Sequence, residues 1–292
     1  MDVLVVGGTG FIGTELCREL DARDHDVTAL SRSPGDADLP DGVDRVAGDV
    51  TDHDSIADAF GGRDAVYYLV ALSPLFEPRG KGHEAVHLGG AENTIRAARD
   101  HGVDRLVHVS ALGADPNGPT TYIRMKGQAE RRVRDSGLDW TIVRPPVVFG
   151  DGGEFVPFSR KLTTPYVTGL PGGGRTQFLP VWVGDLVPML ADALDDAHVG
   201  ETYEVGGPEV LTLADVTRMA YRARGQSVSI LPIPMALAEV GLKLADPISV
   251  VPFGADQARS LRTDNTVQDN DATAFGVDPG DLRTLRDYLG LA

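Results

Sequence analysis

In the stretch TTYIRMKGQAE, Thr120 to Glu130, a tyrosine and a lysine stand one helical turn apart in what reads as the opening of a helix. A free phenol titrates near about pH 10 and is a poor base at neutrality. An ammonium one turn away stabilises the phenolate and draws its pKa toward the working range. Tyr122 and Lys126 therefore have the types and spacing of a proton-transfer pair. At about 100° per residue, Tyr122, Lys126, Ala129 and Val133 share one stripe, with Arg124, Gln128, Arg131 and Asp135 opposite, so Lys126 is expected on the buried face. The plainer alternative is a core tyrosine beside a lysine that lays its stem along apolar surface. Against it stands the scarcity of lysine, since only Lys81, Lys126, Lys161 and Lys243 occur in the chain.

A second constellation opens the chain. VVGGTGFIG sets Gly7, Gly10 and Gly13, with Thr9, Phe11 and Ile12 between them, directly after a strand-like run and at the mouth of a helical pattern. A tight turn needs a residue free of Cβ, a pyrophosphate needs close backbone approach, and a helix N-terminus offers unpaired N–H groups with a positive dipole end. This context predicts a bound dinucleotide. The residue that reads the adenosine ribose is then expected about twenty positions beyond the loop, where the chain says TALSRSP. An NAD site wants a carboxylate there, and Leu30, Ser31 and Arg32 supply none. Arg32 can fork onto a 2′-phosphate while Ser31 donates to it, which predicts NADP(H), with NAD as the alternative if Arg32 only stacks on adenine.

Around these residues, short apolar runs of strand length alternate with longer helical patterns: DVLVV, FIGTELCREL, DVTAL, VDRVAG, SIADAF, DAVYYLV, the segment from Gly80 to His101, and DRLVHVS. That rhythm predicts an α/β fold with a doubly wound parallel sheet, ligands lying at the carboxyl ends of the strands. After LDWTIVRPP the text turns Gly- and Pro-rich, then partly recovers at GDLVPMLADAL and ETYEVGG. Residues 1–150 are expected to form the dinucleotide-binding core, with 183–206 returning to it. Residues 151–182 and 207–292 are expected to form a smaller C-terminal lobe for substrate or partner.

Composition bounds the partners. The 292 residues carry a formal net charge of -16, with aspartate far outnumbering glutamate and arginine outnumbering lysine. Such a shell suits high salt, where self-repulsion is screened, or a basic partner, and it disfavours nucleic acid and anionic membranes. One cysteine, Cys17, excludes an internal disulfide and fits a cytoplasmic protein. Neither a basic leader nor an apolar run of about 18 residues occurs, so no transmembrane segment is expected. The seven histidines show no metal-ligand spacing, and no G-x-S-x-G nucleophile is present.

GGTGFIG at this position resembles the fingerprint of the extended and atypical short-chain dehydrogenase/reductases, and Tyr122-x-x-x-Lys126 resembles their catalytic motif at the family's place. GDVTD is similar to the adenine-contacting segment and implicates Asp49 and Val50; YYLVA implicates Val70 and Ala71 against the cofactor. VRPPVVFG is similar to the nicotinamide border and implicates Pro145 and Val148. GGGRTQFLPVWVGDL and FGVDPGDLRTLRDYL resemble the atypical branch that includes the nucleotide-binding accessory subunit of respiratory complex I. The resemblance implies that Tyr122 exchanges the hydroxyl proton and that Lys126 also holds the nicotinamide ribose. Two departures stand out. In HVSALGAD the family's substrate-polarising hydroxyl gives way to Ala111 and Leu112, leaving Ser110 as the candidate, and His87 replaces an asparagine in AVHLGGAENT, where a packed or surface histidine is expected.

These readings converge on an oxidoreductase for a small carbonyl or hydroxyl substrate. The apolar segment from Ser229 to Phe253 is read as a lid, a partner interface or a core helix, and as a lid it would favour an apolar ligand. Two other readings share the fold: a nucleotide-binding structural or assembly protein that docks on a membrane redox complex, and a nucleoside-diphosphate-sugar epimerase. A homodimer is the other association left open.

Overall fold

The computed structural model describes residues 1–74, 81–161, 163–234, 259–260 and 262–291. Residues 235–253 of the apolar segment singled out above lie outside the described residues. In chain order the first elements are β1 (Asp2–Val6), α1 (Phe11–Ala22), β2 (Asp26–Ser31), β3 (Asp44–Ala47), α2 (His53–Ile56), β4 (Ala65–Tyr68), α3 (Gly90–His101), β5 (Arg105–Val109), α4 (Thr121–Arg134) and β6 (Asp139–Arg144). There follow β7 (Val148–Phe149), α5 (Phe155–Lys161), β8 (Tyr166–Pro171), β9 (Gln177–Phe178), β10 (Val181–Trp182), α6 (Val183–Asp192), β11 (Thr202–Glu204), β12 (Leu211–Thr212), α7 (Leu213–Arg222), β13 (Val228–Ile233) and α8 (Leu285–Tyr288). The chain divides into two compact units: Met1–Ser73, Pro78–Arg144 and Leu186–Tyr203 in the first, and Pro74–Glu77, Pro145–Asp185 and Glu204–Ala292 in the second.

The first unit is the expected α/β layer structure. Its sheet runs β11-β6-β5-β4-β1-β2-β3, and all neighbours from β6 to β3 pair in parallel. Strand order reverses at β1, which pairs β2 on one side and β4 on the other, with Val6 level with both Leu30 and Tyr68. The crevice beyond such a reversal is where this architecture binds ligands. The central strands β1 and β4 are buried on both faces and read as apolar runs rather than alternating, with Val3 to Val6 wholly buried. Leu4, Val6, Leu30, Ile56, Phe60, Val66, Leu106 and Ile142 make the centre of one core.

The segment read as one helix from Gly80 to His101 begins differently. Glu84–Gly89 is a π-helical turn, and only from Gly90 does the regular helix α3 run to a left-handed cap at Gly102. The cause is a side chain inserted into the ladder: the buried Tyr68 hydroxyl donates to the Val86 carbonyl at 2.5 Å. Gly90 makes this possible, because a Cβ there would collide with that hydroxyl.

The second unit is built from two-stranded pairs, β10 with β7 and β13 with β8 in parallel, and β12 with β9 antiparallel. Phe149, Phe155, Leu211, Val216, Met219 and Leu285 form its core. α7 starts in a full capping box, Thr212 and Asp215 each satisfying the other's backbone N–H. Among the described residues, no helix is long and apolar enough to cross a membrane.

Candidate functional site

The glycine loop lies at the carboxyl end of β1. Gly7 sits at φ 95°, where only glycine is at ease, and its N–H donates to Leu30 at 2.8 Å. A Cβ on Gly7 would press on Val70, and one on Gly13 would run into the Gly7 carbonyl, so the loop and the first turn of α1 are in backbone contact. Gly10 is the N-cap of α1 and offers no side-chain acceptor. The first-turn N–H groups are thus left for an anion, flanked by the half-buried Thr9, Phe11 and Ile12. Cys17 is buried beneath the loop, donates to the Gly8 carbonyl, and has its thiol pushed up to about 12 by burial. It is a packing residue, not a nucleophile.

At the adenosine end, the Ser31 hydroxyl closes β2 without a hydrogen-bond partner, beside the exposed Arg32. Asp49 binds Lys81 at 2.9 Å and the Thr51 hydroxyl at 2.7 Å, and these bonds hold its carboxyl down at about 2. The Lys81 contact carries no signal in the spacing, because it spans 32 residues. Asn93 fixes the neighbouring Val50 carbonyl at 2.8 Å. Val70 and the exposed Ala71 follow β4, Val70 against Gly7. An open helix N-terminus and a cradle that a Cβ would fill both fit a dinucleotide.

The proton-transfer pair lies on α4, whose N-cap Thr120 accepts from the Ile123 N–H. Gly127 lets the loop at Asp115 and Pro116 lie directly on this helix, since a Cβ would strike both. Lys126 is 2% exposed and its Nζ donates at 3.0 Å to the carbonyl of Val109, the last residue of β5. One turn on, Glu130 is 1% exposed and gripped by Arg144 at 2.6 and 2.8 Å and by Arg134 at 3.0 Å. Burial lowers the Lys126 ammonium to about 8, against the opposing pull of Glu130.

Here the structure corrects one expectation. The spacing predicts a phenol drawn downward by Lys126, yet burial pushes Tyr122 up to about 12. Desolvation by burial is the cause of the upward shift. At neutral pH both groups are protonated, which is the state of a proton donor.

Two histidines face the tyrosine. The ring of His87 meets that of Tyr122 edge-on, with centroids 5.2 Å apart and planes at 89°, and His83 lies 5.7 Å from Tyr122 and 5.3 Å from His87. Their one-turn spacing was the signal that could have placed them together. Ser110, just past β5, is 5% exposed and its hydroxyl is unpartnered, while Ala111 and Leu112 are buried behind it. His108 is wholly buried against Tyr68, with ring centroids 5.5 Å apart. The first unit therefore carries Gly7 to Gly13, Ser31, Arg32, Asp49, Val50, Val70, Ala71, Ser110, Tyr122 and Lys126. Pro145 and Val148 belong to the second, Val148 on β7. Among the described residues no set of His, Cys, Asp and Glu could hold a metal ion.

Comparison with known proteins agrees with this geometry. Residues 7–158 match the NAD(P)H-binding family. The chain is 30% identical over 286 residues to subunit 9 of the mitochondrial NADH dehydrogenase [ubiquinone] 1 alpha subcomplex of Arabidopsis thaliana, covering 91% of this chain and 71% of that one. It is 34% identical over 252 residues to a 2-alkyl-3-oxoalkanoate reductase of Stenotrophomonas maltophilia, covering 77% and 76%. Among solved structures it is similar to the Thermus thermophilus UDP-glucose 4-epimerase in complex with NAD, with a TM-score of 0.65 and 25% identity over 80% of this chain and 86% of that one. The glycine cradle at a Rossmann switch point and the family match together make this chain a member of the NAD(P)H-binding family, of the extended short-chain dehydrogenase/reductase type.

Proposed function

We propose that the protein is an NADP(H)-dependent oxidoreductase acting on the carbonyl or hydroxyl group of a small, apolar substrate. The observation that carries the reading is the pair of half-buried Tyr122 and buried Lys126, one turn apart on α4, with Lys126 bonded to the last carbonyl of β5, in the unit that also holds the glycine cradle. When bound, the nicotinamide supplies or accepts a hydride. A tyrosine protonated up to about 12 favours reduction. As that hydride reached a carbonyl carbon and the C–O π pair moved onto oxygen, Tyr122 would give its phenolic proton to the oxygen. The product would be an alcohol, and water would reprotonate Tyr122. Lys126, a cation below about 8, would stabilise the transient phenolate, and the resemblance implies that it also holds the nicotinamide ribose. Ser110 supplies a hydroxyl past β5, and Ser31 with Arg32 favours a 2′-phosphate over a bare ribose.

The reductase among the relatives supports an alkyl-bearing carbonyl. The test is substrate-dependent loss of NADPH absorbance with a 2-alkyl-3-oxoacid, a long-chain alkyl ketone and phenanthrenequinone. Turnover of at least one in the wild type, absent in Tyr122→Phe, is the expected result. Tight NADPH binding with no turnover of any would favour a second reading, in which the nucleotide stabilises a subunit that docks on a respiratory redox complex. Ala111 and Leu112, in place of the expected hydroxyl, and the mitochondrial relative's coverage of 91% of the chain speak for that reading. Co-purification of tagged protein with NADH dehydrogenase subunits would then be its positive sign. The epimerase reading shares the fold, and turnover of a UDP-sugar would be its sign.

A further inference from the structure

His87 has an environment that packing alone leaves unexplained. It is wholly buried, and its two ring nitrogens are treated differently. Nε2 accepts from the backbone N–H of Leu72 at 3.3 Å, which places the imidazole proton on Nδ1. Nδ1 has no partner. A buried N–H without an acceptor costs about 1–3 kcal/mol, so a ligand that supplies one gains what the empty site lacks. The ring stands edge-on to Tyr122 with centroids 5.2 Å apart, which puts the two side chains in direct contact. It is also carried on the π-helical turn Glu84–Gly89, a geometry that recurs at functional sites because it re-aims side chains. Resting on the oxidoreductase reading, we infer that His87 is a second hydrogen-bond donor to the substrate oxygen, its Nδ1–H taking the place of the hydroxyl that Ala111 and Leu112 lack.

The charge state suits the role. Burial, and then the Lys126 cation, His83 and His108, hold the imidazole neutral, with its conjugate acid down at about 2. A neutral imidazole is a weak acid, so His87 keeps its proton. It polarises the carbonyl as hydride arrives, and the proton that finally leaves for oxygen is that of Tyr122. The arrangement divides two tasks between two side chains, Tyr122 for transfer and His87 for polarisation. Donors aimed at a developing oxyanion each contribute about 10²-fold or more to turnover.

Two measurements test this. In protein labelled at histidine and loaded with NADP+, long-range imidazole NMR correlations at neutral pH should show one neutral ring protonated at Nδ1 that vanishes in His87→Gln. A His87 ring protonated at Nε2, or at both nitrogens, overturns the inference without any assay of turnover. In the kinetic arm, the carbonyl of the panel above that the wild type reduces fastest is the probe. His87→Phe should lower kcat by about 10²-fold with the NADPH Kd unchanged, and His87→Gln, which restores an N–H donor, should recover about tenfold of it. Unchanged kcat in His87→Phe, or a His87→Gln variant no better than His87→Phe, while Tyr122→Phe is slow, overturns this inference alone. Wild-type turnover in Tyr122→Phe removes Tyr122 from the mechanism and this inference with it, and no turnover of any probe by the wild type overturns the oxidoreductase reading and this one together.

Discussion

The first unit holds two regions of opposite design. In the glycine loop, specificity is written in the backbone: Gly7 at positive φ, Gly13 against the Gly7 carbonyl, and a helix N-terminus with no side-chain cap. Around β5 and α4 it is written in side chains brought from residues 87, 110, 122 and 126, and two of these, His87 and Ser110, keep a polar atom unpaired. The first region leaves backbone N–H groups open at a helix N-terminus, and the second leaves buried side-chain atoms unpaired. Open backbone donors at a helix end can be met by water, whereas an unpaired buried side-chain group costs stability.

The sharpest way to break this contrast is to change chemistry without changing binding. Tyr122→Phe should cut turnover by about two to four orders of magnitude while the NADPH Kd stays within about twofold of wild type. Loss of folding in that variant would instead make Tyr122 a packing residue. The converse change is Gly13→Val, whose side chain must displace the Gly7 carbonyl. It should weaken NADPH binding by about 10²-fold or more, read by quenching of protein fluorescence, and an unchanged Kd would remove the loop from the cofactor site. Arg32→Ala should weaken NADPH by about tenfold and leave NADH nearly unaffected, since only the former carries a 2′-phosphate. Tighter NADH than NADPH binding in the wild type would overturn the reading of β2.

A subtler probe uses pH. Lys126 titrates at about 8 in the folded chain against 10.5 when free, while Tyr122 stays protonated to about 12. Reduction should be level below pH 8 and fall above it as the ammonium is lost. The folded state binds the Lys126 proton more weakly than the unfolded chain, so stability should rise with pH in the same interval, by up to about 1 kcal/mol per pH unit. The rise levels off above pH 9, where the buried Cys17 thiol, raised from 9.0 to about 12, contributes an offsetting slope. Activity and melting temperature moving together between pH 8 and 9 would contradict the assignment of Lys126.

What was legible follows the same division. β1, the loop and α1 are contiguous, so local letters carry their geometry, and the βαβ rhythm carried the parallel sheet. The stripe that put Lys126 on the inward face of α4 was likewise local, and the residue is buried. The environment of Tyr122 was not legible. Spacing reports which groups are near one another along a helix, but pKa depends on the water excluded by the rest of the fold, and that raised the phenol instead of lowering it. His87 was read as packed or on the surface because nothing local reveals that Leu72 claims one ring nitrogen and leaves the other unmet. The Asp49–Lys81 bridge escaped notice for the same reason, being made across 32 residues.

The π-helical turn before α3 is an α-helix with one residue too many. Deleting a single residue between Glu84 and Gly89 would let the ladder close in regular steps, and each regained backbone bond contributes about 1 kcal/mol. The same deletion would rotate what lies before it by roughly 100° about the helix axis and swing His87 off the face of Tyr122. The segment can be regular or can present His87 there, and a shorter, sturdier version of this protein would be recognised by a higher melting temperature and a blunted reaction.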